Sequence, residues 1–101
     1  MFIALPLEPQ VGDIVERYRM DDKFIGAFLV TEVHTPLDKH GNKRKDLIRV
    51  TCIFNDDLGS KYSMYKSVEP GDSTWVHRVH LLSRWDAESS NSSQYYKIRN
   101  K

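Results

Sequence analysis

The sequence predicts an all-β domain of five or six short strands curled into a small barrel, and three observations carry that prediction. Its apolar residues recur with a period of two in runs of six to eight residues. These runs are rich in β-branched and aromatic side chains, and Gly, Asp, Asn and Pro punctuate the gaps between them. No stretch sustains a 3.6-residue period, so helix is limited to a short turn near residues 81–85.

The first strand is Asp13-Ile14-Val15-Glu16-Arg17-Tyr18-Arg19, launched after Gly12. Asp21-Asp22 tips a short connection to the second, Ala27-Phe28-Leu29-Val30-Thr31-Glu32-Val33, which follows Gly26. His40-Gly41-Asn42 lies in a longer loop, where Gly and Asn tolerate positive φ. The third strand, Leu47 to Phe54, alternates so that Ile48, Val50, Cys52 and Phe54 share one face, expected to point inward with Val30 and Trp75. After Asn55-Asp56-Asp57-Leu58-Gly59 comes a weaker strand, Lys61 to Lys66. Glu69-Pro70-Gly71-Asp72 suits a type II turn, with Pro second and Gly third. The fifth strand, Thr74 to Val79, leads into Leu81 and Leu82.

The last sixteen residues differ in character. Asp86 to Ser93 is polar and Ser-rich and reads as a mobile linker, which sets a domain boundary between residues 85 and 86. Gln94-Tyr95-Tyr96-Lys97-Ile98-Arg99 then regains strand character, and either docks as an edge strand or orders on a partner. Removing residues 86–101 is expected to leave the barrel folded.

A chain of 101 residues suits one domain with one modest core, and 40% hydrophobic with 29% charged residues is ordinary globular composition. No apolar run approaches the ~20 residues that span a bilayer. Met1 to Leu7 is apolar but brief, without the basic start and small-residue cleavage site of a signal peptide. The single Cys52 excludes an intramolecular disulfide and fits a reducing compartment. A soluble cytoplasmic protein is therefore the expectation, with no membrane role.

Net charge is only +1, yet its sign alternates along the chain. Residues 1–34 hold six acids and three bases, a net of −3, and residues 35–55 hold five bases and two acids, a net of +3. Residues 56–76 are net −2 and residues 77–101 net +3. Folding has two basic blocks to bring together.

Val11-Gly12-Asp13-Ile14-Val15, followed by Gly26 to Val33, resembles the opening hairpin of SH3-like barrels of the KOW/Tudor type. There a Gly-Asp turn launches strand one and a second Gly, about fourteen residues on, opens strand two; each Gly allows a sharp bend in a small barrel. The resemblance covers residues 11–33. Where the KOW pattern has a Gly-Pro-rich loop, this chain has Met20-Asp21-Asp22-Lys23. The resemblance implies an SH3-like barrel that binds RNA, DNA or protein tails, among them components of transcription and translation. A compact domain of this kind also suits a phage or accessory protein.

The sharpest local feature is the loop Lys39-His40-Gly41-Asn42-Lys43-Arg44-Lys45, where Lys39, Lys43, Arg44 and Lys45 are positioned to straddle phosphates. Arg78, Arg84 and the basic tail support it, and Trp85, just past the last strand, is the aromatic expected to be exposed for stacking. Most other aromatics are expected in the core. His77 and His80, three apart on a strand, point to opposite faces and make a poor metal pair. Asp21-Asp22 and Asp56-Asp57 read as turn residues rather than acid–base pairs. With no nucleophile motif, phosphate loop or metal template, the expectation is no enzyme, no cofactor and no small-molecule substrate. The expected partner is nucleic acid, bound through the basic loop. The alternative is a protein complex, bound by an adaptor or inhibitor through an edge strand or the Tyr-rich tail.

Overall fold

Two turns of the same design set up the sheet. In the computed structural model, which describes residues 6–34, 39–41, 47–56 and 68–99, Gln10-Val11-Gly12-Asp13 and Glu69-Pro70-Gly71-Asp72 fold alike. The Asp N–H donates to the first residue's carbonyl at 3.0 and 2.9 Å, and the Asp carboxylate accepts the first residue's N–H at 2.7 and 3.0 Å. Gly12 and Gly71 both stand at φ +94°, the conformation a type II turn requires at its third position and glycine adopts freely. Each Gly-Asp pair then faces one residue of the next strand as a G1 bulge. Gly12 N–H donates to Val30 O and Val30 N–H to Asp13 O, while Gly71 and Asp72 clasp Cys52 in the same way.

Five strands follow: β1 (Ile14–Arg19), β2 (Phe24–His34), β3 (Leu47–Asn55), β4 (Ser73–His77) and β5 (Gln94–Ile98). All pair antiparallel in one sheet of order β4-β3-β2-β1-β5. The first four form a meander, and β5 returns to the open side of β1. The crossing from β4 uses a 3₁₀ turn, Arg78–His80, and a short helix α1, Arg84–Ser89. Ser83 caps α1 by accepting the Asp86 N–H, and Ala87 is fully buried as the helix packs on β5.

One cluster joins Val15, Phe28, Val30, Ile48, Val50, Cys52, Val76, Leu81 and Tyr96, with Leu7 and Val68 packed against it. Every strand contributes, which forces the sheet to curl. β1 and β4 are three ladder steps apart, roughly 14 Å in a flat sheet, yet Val15 and Val76 line the same small void of about 10 Å³. The chain after β4 draws the edges together. Leu81 enters the core, its carbonyl accepts the Leu7 N–H at 2.6 Å, and the Leu82 carbonyl accepts the Tyr96 N–H of β5 at 2.8 Å.

The fold class is the expected one, mainly β with five antiparallel strands and little helix. The weak strand at 61–66 lies outside the described residues. Residues 86–93, read from the sequence as a linker, hold most of α1, which runs across the expected boundary, and residues 94–98 form β5. The cause is burial: Ala87, Tyr95 and Tyr96 all leave water here.

Two inward assignments are corrected. Phe54 is 40% exposed, because Ala27 pairs with Phe54 and Phe28 with Cys52, so Ile53 is an extra residue that reverses the alternation. Trp75 is 46% exposed, because its cross-strand partner is the outward Arg49, while Val76 pairs with the buried Ile48. Ile48, Val50, Cys52 and Val30 are buried as expected. Gly26 does not open β2 but stands within it, where an added Cβ would lie 2.9 Å from the Phe28 ring. It is a close-approach glycine.

The core makes a direct prediction. Val50→Ala enlarges a void already lined by Val50 and should destabilise the fold by about 1–3 kcal/mol. Urea denaturation measures it; an unchanged midpoint would place β3 in another register.

Candidate functional site

The bases nominated by the sequence behave differently from one another. Lys39 is exposed, beside Gly41, which stands at φ +83°. Lys43, Arg44 and Lys45 lie outside the described residues. Arg78 is half-buried and donates to Glu8 at 2.8 Å. Arg84, first in α1, donates to Asp22 at 2.9 Å and lies 3.6 Å from Glu88. Trp85 follows it and is 67% exposed, as expected.

The neighbouring bases show the same pattern. Arg19 pairs with Asp21, Lys23 with Asp56 and Arg99 with Glu16, and Arg17 is buried. Among the described residues, Lys39, Arg49 and Lys97 are the exposed cations with no carboxylate in ion-pair range. Among the described residues, most exposed cations therefore sit against a carboxylate.

What the fold assembles instead is an aromatic row on the outer face. It crosses four strands: Tyr95 of β5, Tyr18 of β1, Phe24 of β2 and Phe54 of β3. Tyr95 and Tyr18 stack at 5.1 Å, Tyr18 and Phe24 tilt at 5.5 Å, and Phe24 and Phe54 stack at 5.4 Å. Bulges at Ile25 and Ile53 put the two phenylalanines on this face, pairing Phe24 with Tyr18 and Phe54 with Ala27. Phe24 is 37% exposed, so half of the row meets water. A second outward pair, Arg49 over the Trp75 ring at 6.0 Å, lies on β3 and β4.

A polar knot ends the row at β5. Asp22, in the β1–β2 turn at φ +68°, accepts from Tyr95 Oη at 2.8 Å and from Arg84 Nε at 2.9 Å through the same oxygen. The guanidinium of Arg84 stands 5.9 Å from the Tyr95 ring centre. These bonds hold the Asp22 carboxyl below its ordinary range, that of Tyr95 first and that of Arg84 second. The Tyr95 phenol is pushed up to about 12, chiefly by burial and then by its bond to Asp22. Along the row, burial and the bond to Glu16 push the Tyr18 phenol up as well. Both phenols stay protonated at neutral pH.

The sequence marked Trp85 but not Phe24 or Phe54 as exposed, since no residue type announces the two bulges. The short α1 did carry a readable signal in Ser83-Arg84-Trp85-Asp86, the S-x-x-D pattern of a capped helix start. His77 and His80 meet edge to face at 6.2 Å, and among the described residues no group of three or more His, Cys, Asp or Glu is placed to share an ion. Among the same residues, no helix is long and apolar enough to cross a membrane. Searches against protein-family models, curated proteins and solved structures find no match for this chain.

The Asp22 knot predicts a signed pH dependence. A lowered carboxyl contributes stability above the unfolded value of about 3.9, lost as pH falls through the folded one. A raised phenol contributes below about pH 10, and that part fades as pH climbs towards 12. Asp22→Asn keeps a residue tolerant of positive φ and removes the charge. Its urea midpoint should lie below the wild type near neutral pH, with the gap closing at pH 2; a gap unchanged at pH 2 would refute the assignment.

Proposed function

We propose that the chain is a non-enzymatic interaction module, a small barrel of the SH3-like kind, whose partner is a protein. The observation that carries this reading is the outer face, where Phe24, Phe54 and Trp75 are exposed while most bases around them are tied to carboxylates. Such a face offers a partner the dehydration of aromatic surface, the dominant source of affinity at protein interfaces. It offers phosphates little. A duplex binder commonly neutralises about six to ten phosphates, whereas three exposed cations among the described residues lack a carboxylate. The SH3-like part draws support from the strand order, in which β5 returns beside β1, and from the Gly12-Asp13 turn ahead of β1.

A second reading, nucleic-acid binding through residues 39–45, is favoured by the exposed Lys39 and by the run Lys43-Arg44-Lys45 in the sequence. One experiment separates the two. Wild type is titrated with single- and double-stranded oligonucleotides over a range of salt, and it is also used as bait in nuclease-treated lysate beside a Phe24→Ala/Phe54→Ala variant. The protein reading expects no saturable oligonucleotide binding and a nuclease-resistant partner that the variant fails to hold. Oligonucleotide affinity that falls with salt, with a slope reduced by up to about three when Lys43, Arg44 and Lys45 become Ala, would overturn it.

A further inference from the structure

Among the described residues, the outer edge of β5 is only partly covered. Backbone groups along an antiparallel edge strand face alternately inward and outward. Arg99 N–H donates to Ile14 O, at the start of β1, whereas Tyr96 N–H donates the other way, to Leu82 O, each at 2.8 Å. Ile98 has the parity of Tyr96, so its N–H and C=O face away from β1. Among the described residues neither has a backbone partner there. Leu82 thus begins a sixth ladder position and the chain turns off into α1 before completing it.

A groove of about 450 Å³ opens at that place, lined among others by Leu7, Ser83, Tyr96, Lys97 and Ile98. Its volume is in the range of pockets that enclose ligand groups. Leu7, Tyr96 and Ile98 make it apolar, and Lys97 supplies the charge at its rim. The cross-strand neighbour of Lys97 is Glu16, but Glu16 accepts from Arg99 at 2.9 Å and from Tyr18 at 3.1 Å. The Lys97 ammonium therefore has no carboxylate in ion-pair range among the described residues, whereas Arg84 on the same groove has two.

We propose that the β5 groove takes an extended peptide segment of a partner protein, added as a strand beside Ile98, with apolar side chains at alternate positions and an acidic residue opposite Lys97. The open backbone supplies the ladder, the Leu7–Tyr96–Ile98 surface selects the apolar residues, and the uncompensated Lys97 selects the acidic one. This rests on the reading of the protein as a protein-interaction module and names the surface and the chemistry of the segment bound.

The test uses the full-length protein and three capped eight-residue peptides, followed by NMR titration. One alternates valine and aspartate, the second alternates valine and lysine, and the third repeats the first with alternate amides N-methylated. The acidic peptide should shift the amides of Lys97, Ile98 and Leu7, and N-methylation should weaken it at least about tenfold by removing ladder donors. Lys97→Glu, an exposed change that leaves the core untouched, should weaken the acidic peptide about threefold and favour the basic one. Equal binding of the N-methylated peptide, or no shift along β5 at millimolar peptide, would overturn the groove. Shifts confined to the Phe24 and Phe54 face would overturn it while leaving the protein reading intact. Binding of an oligonucleotide with no binding of any peptide would overturn both.

Discussion

A guanidinium that is 1% exposed inside a sheet draws its acceptors from the strands around it. Arg17 is such a group: it lies on the inner side of β1, two residues from Val15, and its Nε donates to the Gln94 side-chain carbonyl. Leaving a buried charge without its acceptor costs several kcal/mol. Gln94 is the first residue of β5, so the acceptor of the Arg17 Nε arrives only when the chain end comes back to β1. The next residue completes the hold from the other side: Tyr95 stacks on Tyr18 and donates to Asp22. Two consecutive residues thus bind β5 to β1 across both faces of the sheet.

The rest of the architecture follows from that return. With β5 in place, Tyr96 joins the core, and its N–H catches Leu82, which curls the sheet until β1 and β4 side chains meet. The aromatic row exists because Tyr95 and Tyr18 start it on adjacent strands and two bulges extend it to Phe24 and Phe54. The groove exists because β5 is an edge strand that the crossing segment covers at one ladder position and no further. Both candidate surfaces are by-products of closing a small sheet.

Much of the sheet was legible in the residues, for reasons that are local. Gly12-Asp13 and Pro70-Gly71-Asp72 carry their turns in side-chain chemistry, and Ile48, Val50 and Cys52 carry their facing in a period of two. What escaped depends on distant pairing. Nothing in Ile53 itself says that it is the extra residue against β2, so Phe54 reads as core until the partner strand is known. Trp75 reads as core by its size, yet its strand needs one side chain per step inward, and Val76 is that one. The Ser-rich run conceals α1 because a six-residue helix has no periodicity to show, although Ser83 and Asp86 mark its start. For the site, Trp85 was legible as exposed from its position, and the neutralisation of Arg78 and Arg84 was not. Their partners Glu8 and Asp22 are 70 and 62 residues away in the chain.

The claim that β5 holds the sheet together is tested most directly by ending the chain at residue 85 and following far-ultraviolet circular dichroism through a thermal melt. The expected result is a chain with no cooperative β transition, since the cut removes Tyr95, Tyr96 and, in Gln94, the acceptor of the Arg17 Nε. A truncated chain that keeps the sheet spectrum and melts cooperatively would show that β1 to β4 fold alone, and would contradict it.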